Sequence, residues 1–117
     1  MAYVDGYVIA VPTAKKDAYL ALAKQINGLF KANGALEVVE NWGADVPEGK
    51  LTSFTLAVKR QDDESIVFSW IKWPSKDVRD KGWGAVMQHP LMQQDSTQPV
   101  FDGKRMIFGG FETILEL

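Results

Sequence analysis

Two hydrophobic periodicities alternate along the chain. Stretches rich in aromatic and β-branched residues predict strands at residues 3–11, 35–42, 65–73 and 105–117. Apolar residues three or four positions apart predict helices at 15–32 and 76–87. The order β-α-β-β-α-β is that of a ferredoxin-like α+β fold, in which a four-stranded antiparallel sheet carries both helices on one face.

Turn and capping residues refine these boundaries. Thr13 and Ser75 each follow a proline that ends a strand, so we expect both to cap the helix that follows. Asn33-Gly34 is a typical stop for the first helix. The segment 54–58 fits either a short strand or one helical turn.

Glycine and proline mark weaker elements towards the C-terminus. Gly82 and Gly84 should each weaken the second helix by about 1 kcal/mol relative to alanine. Residues 88–104 are expected to be irregular, and Gly109-Gly110 predicts a bend or bulge in the last strand.

The predicted strands are apolar on both faces, which is unusual for a sheet with helices on one side only. In SIVFSWIKW, one face carries Ile66, Phe68 and Trp70 and the other carries Val67, Ile71 and Trp73. Because no part of the chain is left to cover the second face, we predict a homodimer in which two sheets pack together. Six polar residues interrupt these apolar strands: Asp5, Glu40, Asn41, Ser69, Glu112 and Thr113.

Composition narrows the class of protein. The 117 residues suit one domain spanning 1–117, and the net charge of −2, without a basic run, gives no reason to expect nucleic-acid binding. There is no cysteine, and no apolar stretch approaches the roughly 18 residues that span a bilayer. The N-terminal segment lacks the basic region of a signal peptide, so we expect a cytoplasmic protein without membrane partners.

The segment ENWGADVPEGKLTSF, residues 40–54, carries the candidate chemistry. Glu40 and Trp42 share a strand face and could offer a proton-accepting carboxylate beside a stacking surface, with Asp45 and Glu48 close in sequence. The alternative interpretation is a solvated loop in which Trp42 closes the edge of the core.

His89 is the only histidine, which excludes a multi-histidine metal site. It could act as a lone acid or base or as an axial haem ligand, but its place beside Pro90 is typical of an exposed loop. We predict no metal site and no cofactor. Aromatic residues such as Tyr7 and Trp70 suit a planar ligand, although they more often build core or interface. Arg79 is a further ligand-binding candidate that could pair with an acid of the segment 40–54.

Four stretches together resemble the YbaA-like family of small bacterial proteins: YVDGYVIAVP, ENWGADVPEGKLTSF, AVKRQDDESIVFSWIKWPSKDVRDKGW and FDGKRMIFGGFE. The resemblance implies membership of the dimeric α+β barrel superfamily, in which two sheets pack face to face and each subunit holds a cleft between sheet and helices. It implies no particular reaction, because the superfamily includes cofactor-free monooxygenases, haem-degrading enzymes and small lyases.

Two functions follow as predictions. The first is a dimeric protein that binds a small organic molecule in the sheet–helix cleft. The alternative is a cofactor-free enzyme, an oxygenase or isomerase, in which Glu40, Asp45 or His89 handles protons. The enzyme requires a titratable group facing a cavity, whereas a purely structural protein would have no cavity.

Overall fold

A computed structural model describes residues 2–93 and 99–117. The strands are β1 (Tyr3–Pro12), β2 (Glu37–Trp42), β3 (Glu64–Trp73) and β4 (Ile107–Glu112). The helices are α1 (Lys16–Ala32), the single turn α2 (Phe54–Ala57) and α3 (Lys76–Met87), with 3-10 turns at Thr13–Lys15 and Pro90–Gln93. The strands pair antiparallel in the order β2-β3-β1-β4, which confirms the ferredoxin-like α+β fold.

One of the two predicted helix caps is present. Ser75 Oγ accepts a hydrogen bond from the Val78 amide at 3.3 Å, as expected for the start of α3. Thr13 does not cap α1, because a 3-10 turn intervenes and its hydroxyl is hydrogen-bonded to Ser65 Oγ at 2.6 Å. The helix ends as predicted at Ala32, and Gly34 has a φ of 110°, which favours glycine.

Two segments without a clear sequence prediction take definite forms. The segment after Ser53 is a helical turn, capped by the Ser53 hydroxyl, which accepts from the Leu56 amide at 3.0 Å. The predicted irregular region contains the 3-10 turn Pro90–Gln93, while its residues 94–98 lie outside the described part of the chain.

The last strand is shorter than predicted and has no bulge. The register from Tyr3–Glu112 to Val8–Ile107 runs without interruption through both glycines. Gly110 has a packing role instead, because a Cβ there would lie 2.8 Å from Tyr3 Cε2.

The core lies between one sheet face and helices α1 and α3. Phe30 of α1 and Val86 of α3 pack with Ile71 and Trp73 of β3. Trp73 is fully buried, and a Cβ at Gly82 would lie 2.5 Å from its ring, so the glycine lets the indole approach the α3 backbone. This contact explains a glycine that local helix propensity alone disfavours.

A buried carboxylate ties α3 to the sheet. Asp5 of β1 accepts hydrogen bonds from Trp73 Nε1 at 2.9 Å and Trp83 Nε1 at 2.8 Å. The Arg79 guanidinium adds bonds of 2.8 to 3.2 Å. The predicted pairing of Arg79 with an acid of the segment 40–54 is therefore wrong, since its carboxylate partners are Asp5 and the adjacent Asp80. Its strongest contact, the hydrogen bond to Asp5, raises the pKa of Arg79.

The opposite face of the sheet is apolar and open. A depression of about 640 Å³ runs over it, bordered mainly by Val4, Val8, Phe68, Trp70, Ile107 and Phe111. Phe68 remains 44% exposed and Phe111 61% exposed. Helices α1 and α3 pack on the other face, so an apolar second face is present as the strand pattern predicts.

Candidate functional site

A partly open cavity of about 160 Å³ lies between the sheet and helices α1 and α3. Strands β1 and β3 form its floor, and the segment before β4 closes one side with Phe101 and Met106. Its apolar lining is Ile9, Leu22, Ala23, Ile26, Phe30, Ile71, Trp83, Met92, Phe101 and Met106. A concave, mainly apolar space with few polar groups is typical of a small-molecule site.

Polar side chains cross the floor of the cavity in one row. Tyr7 of β1 pairs with Ser69 of β3, and Ser69 pairs with Glu40 of β2. Because directly paired residues lie on the same sheet face, all three are on the helix-covered side, and all three line the cavity. Residues far apart in sequence are thus brought together by strand register.

Helix α1 positions the Glu40 carboxylate. Tyr19 Oη donates a hydrogen bond to Glu40 Oε1 at 2.6 Å, and Asn27 Nδ2 donates to Oε2 at 3.0 Å. Burial raises the pKa of Tyr19, and its hydrogen bond to Glu40 raises it further. Tyr19 therefore stays protonated and keeps donating. A carboxylate oxygen can accept more than one hydrogen bond, so Glu40 retains capacity for a ligand.

The Tyr7 hydroxyl is buried and has no hydrogen-bond partner in the described residues. Its ring lies between Trp83 and Phe108, with centroids 6.5 and 6.4 Å away. Burial is the main cause that raises the pKa of Tyr7, and the nearby Asp5 adds to it. The hydroxyl is therefore neutral at physiological pH, and it can donate as well as accept a hydrogen bond.

The other two aromatic candidates, Trp42 and Trp70, are not part of this polar row. Trp42 shares the face of Glu40, as predicted, but packs at the end of the core, where the Lys16 ammonium is 5.2 Å from its ring centroid. Trp70 borders the cavity and also the open face, where its Nε1 donates to Glu37 at 2.9 Å.

Two predicted proton-handling residues lie outside the cavity. Asp45 is exposed in the loop after β2. His89 is exposed after α3, where its Nδ1 accepts from the Leu91 amide at 3.1 Å. Glu48, in the same loop as Asp45, forms an ion pair with Arg60 at 3.4 Å. Glu40 is the one carboxylate among the described residues that line the cavity.

Sequence reasoning missed the roles of Tyr19 and Asn27. Tyr19 fitted the apolar stripe of α1, and Asn27 fitted its polar side. The available signal was Glu40 itself, because a carboxylate on an inward strand face requires donors from whatever covers it.

A second buried ion pair lies away from the cavity. Glu64 is 6% exposed and receives two hydrogen bonds from the Arg105 guanidinium, at 2.7 and 2.6 Å. The same guanidinium donates to the Lys59 carbonyl at 2.8 Å. The pair joins the chain before β4 to the start of β3, which is a structural role.

Within residues 2–93 and 99–117, no three His, Cys, Asp or Glu side chains are grouped to hold a metal ion. In the same part of the chain, no helix has the length and apolar character needed to cross a membrane.

The fold and cavity define a small ferredoxin-like α+β protein with a hollow between its sheet and helices. The chain belongs to the family described as "Protein of unknown function (DUF1428)", whose model matches residues 2–103. It is 53% identical over 116 residues to "Uncharacterized protein YbaA" of Escherichia coli (strain K12), with 99% of each chain covered, and equally to that of Shigella flexneri. The YbaA-like resemblance is thereby confirmed.

Two solved structures are similar in overall shape. Rv0793 from Mycobacterium tuberculosis matches with a TM-score of 0.49 and 13% identity, covering 99% of this chain and 98% of its own. The de novo designed protein Foldit4 matches with a TM-score of 0.48 and 11% identity, covering 97% of this chain and 99% of its own.

Proposed function

We propose that this protein binds a small organic molecule in the sheet–helix cavity and works as a homodimer. The observation that carries the binding role is the combination of a cavity, a positioned carboxylate and a buried hydroxyl without a partner in residues 2–93 and 99–117. A buried polar group without a partner costs about 1–3 kcal/mol, and a bound ligand would remove that cost. A protein with a purely structural role has no need of such a group.

The test is to look for a ligand in protein as it is purified from cells. A crystal structure should show density between Tyr7 and Glu40, and native mass spectrometry should show an added mass that is lost on denaturation. Glu40→Gln keeps the size of the side chain and should carry less of that ligand. A cavity that holds only water in the crystal, with no added mass, would contradict the binding role.

The enzyme alternative rests on one observation, the Glu40 carboxylate facing the cavity. In a cofactor-free oxygenase or isomerase, Glu40 would take a proton from the bound molecule. Glu40→Gln should then still bind the substrate but no longer convert it. Equal conversion by wild type and Glu40→Gln would exclude Glu40 as the base, and the exposed Asp45 and His89 give the enzyme little further support.

The homodimer proposal is supported by the open sheet face. Phe68, Ile107 and Phe111 expose a continuous apolar surface, and surfaces of this kind mark protein contacts in water-soluble proteins. A second copy is the best fit because each chain offers the same twisted apolar sheet, so two such faces can bury each other.

Sedimentation of wild type and Phe111→Asp tests the dimer. Phe111→Asp should shift the protein to monomers, because it places a charge on the open apolar face, where Phe111 is 61% exposed. Leu20→Asp, on the outer side of α1, is the matched control and should remain dimeric. Monomeric wild-type protein at micromolar concentration would overturn the proposal.

A further inference from the structure

We infer that the cavity takes an uncharged, hydroxyl-bearing ring of about the size of phenol, an inference that rests on the proposed binding function. Three properties of the lining lead to this class: its volume, its aromatic walls, and the hydrogen-bonding capacity of Tyr7 and Glu40.

Volume sets the size of the ligand. The cavity measures about 160 Å³, and an engineered apolar cavity of about 150 Å³ in another protein holds benzene. One six-membered ring with a small substituent therefore fills it. Phe30 and Trp83, whose ring centroids are 4.7 Å apart, form an aromatic wall suited to the edge or face of such a ring.

Of the polar residues that line the cavity, Tyr7 and Glu40 set the chemistry of the substituent. The Glu40 carboxylate can only accept hydrogen bonds, so a ligand group that uses its remaining capacity must be a donor. The Tyr7 hydroxyl, which no described residue pairs with, needs an acceptor for its hydrogen. A hydroxyl group is both donor and acceptor, whereas a hydrocarbon is neither.

Charged substituents fit less well. A carboxylate on the ligand would lie in the same partly closed cavity as the Glu40 carboxylate, and like charges in a poorly solvated space repel. An ammonium group would attract Glu40, but it has no acceptor for the Tyr7 hydrogen and loses its hydration on entry.

Four probes that share one ring test this class: phenol, benzene, benzoate and benzylammonium, each titrated into isotope-labelled protein and followed by NMR. Phenol should shift the amides of Tyr7, Ser69 and Glu40 and bind about tenfold more tightly than benzene, as expected for one hydrogen bond to a charged group. Benzoate and benzylammonium should bind at least tenfold more weakly than phenol.

Two variants check the assigned contacts. Tyr7→Phe should weaken phenol about five- to tenfold and leave benzene unchanged, because it removes only the hydroxyl. Glu40→Gln should raise the affinity for benzoate, because it removes the repelling charge and preserves the shape.

The possible outcomes separate the two proposals. Equal binding of all four probes, or tighter binding of a charged one, overturns the ligand class but leaves a small-molecule cavity. If none of the probes shifts the cavity amides, the ligand class falls, and the search for a ligand in purified protein decides the binding function. The wild-type ranking decides this even if a variant does not fold.

Discussion

Two tyrosines of the cavity should respond in opposite directions to the same substitution. Tyr7→Phe removes a buried hydroxyl that has no partner among the described residues, whereas Tyr19→Phe removes one that donates to Glu40 at 2.6 Å. Both changes delete a single oxygen and preserve the ring. The comparison therefore isolates the hydrogen-bonding state of each hydroxyl.

The magnitudes follow from the partners. A hydrogen bond to a charged group contributes about 1.5–3 kcal/mol, so Tyr19→Phe should lower the free energy of unfolding by that amount. An unsatisfied buried polar group costs about 1–3 kcal/mol, so Tyr7→Phe should raise the free energy of unfolding by about that amount. For a chain of this length, 1 kcal/mol corresponds to about 4 °C in Tm. We expect the two variants to differ by about 10 °C or more.

The assay is thermal and urea unfolding of ligand-free protein, prepared by unfolding, dialysis and refolding, with wild type beside both variants. Equal m-values in urea would show that the variants compare the same unfolding transition. If Tyr7→Phe is destabilised as much as Tyr19→Phe, the Tyr7 hydroxyl has a partner in solution, such as a bound water. The assignment of Tyr7 to a ligand would then fail.

Two further predictions concern α3 and the buried Glu64. Gly84→Ala should raise the free energy of unfolding in urea by about 1 kcal/mol, since nothing lies within 4 Å of the new Cβ. Gly82→Ala should be about 1–3 kcal/mol less stable than Gly84→Ala, because its Cβ meets the Trp73 ring. Equal effects of the two substitutions would refute that contact. Hydrogen bonds from Arg105 hold the pKa of Glu64 below its ordinary value of 4.5, so the stability they add is full above pH 4.5 and is lost as the pH falls through the folded pKa. Arg105→Met should have a lower Tm than wild type at neutral pH, and its Tm should fall less than that of wild type as the pH is lowered. If Tm falls by the same amount in both proteins on acidification, the pairing of Arg105 with Glu64 is contradicted.

The pattern of apolar residues was sufficient to predict the fold because each element carries its own signal. Strand alternation also placed Glu40 and Trp42 on one face, and Ser75 was identifiable as a cap. The capping prediction for Thr13 was wrong, because its hydroxyl is hydrogen-bonded to Ser65, a residue distant in sequence.

The candidate site was only partly predictable because it depends on register and helix placement. No local pattern states that Tyr7, Ser69 and Glu40 form one row, since a shift of one residue between strands would separate their faces. Likewise, Tyr19 reaches Glu40 only because of the way α1 lies across the sheet. The prediction of a bulge at Gly109-Gly110 was wrong for the same reason. Gly110 is explained by the ring of Tyr3 on the neighbouring strand, which local sequence does not reveal.

Asp5 and Tyr7, two residues apart on β1, show how differently this fold treats its buried polar groups. The Asp5 carboxylate receives donors from three side chains, Trp73, Arg79 and Trp83, and so joins α3 to the sheet. The same Trp83 ring lies beside Tyr7, yet no described side chain pairs with the Tyr7 hydroxyl. Since phenylalanine would fill the same space without an unpaired group, stability alone does not account for a tyrosine here. A ligand that accepts from the hydroxyl does account for the tyrosine. If this explanation is right, Tyr7→Phe stabilises the ligand-free protein and at the same time weakens phenol binding.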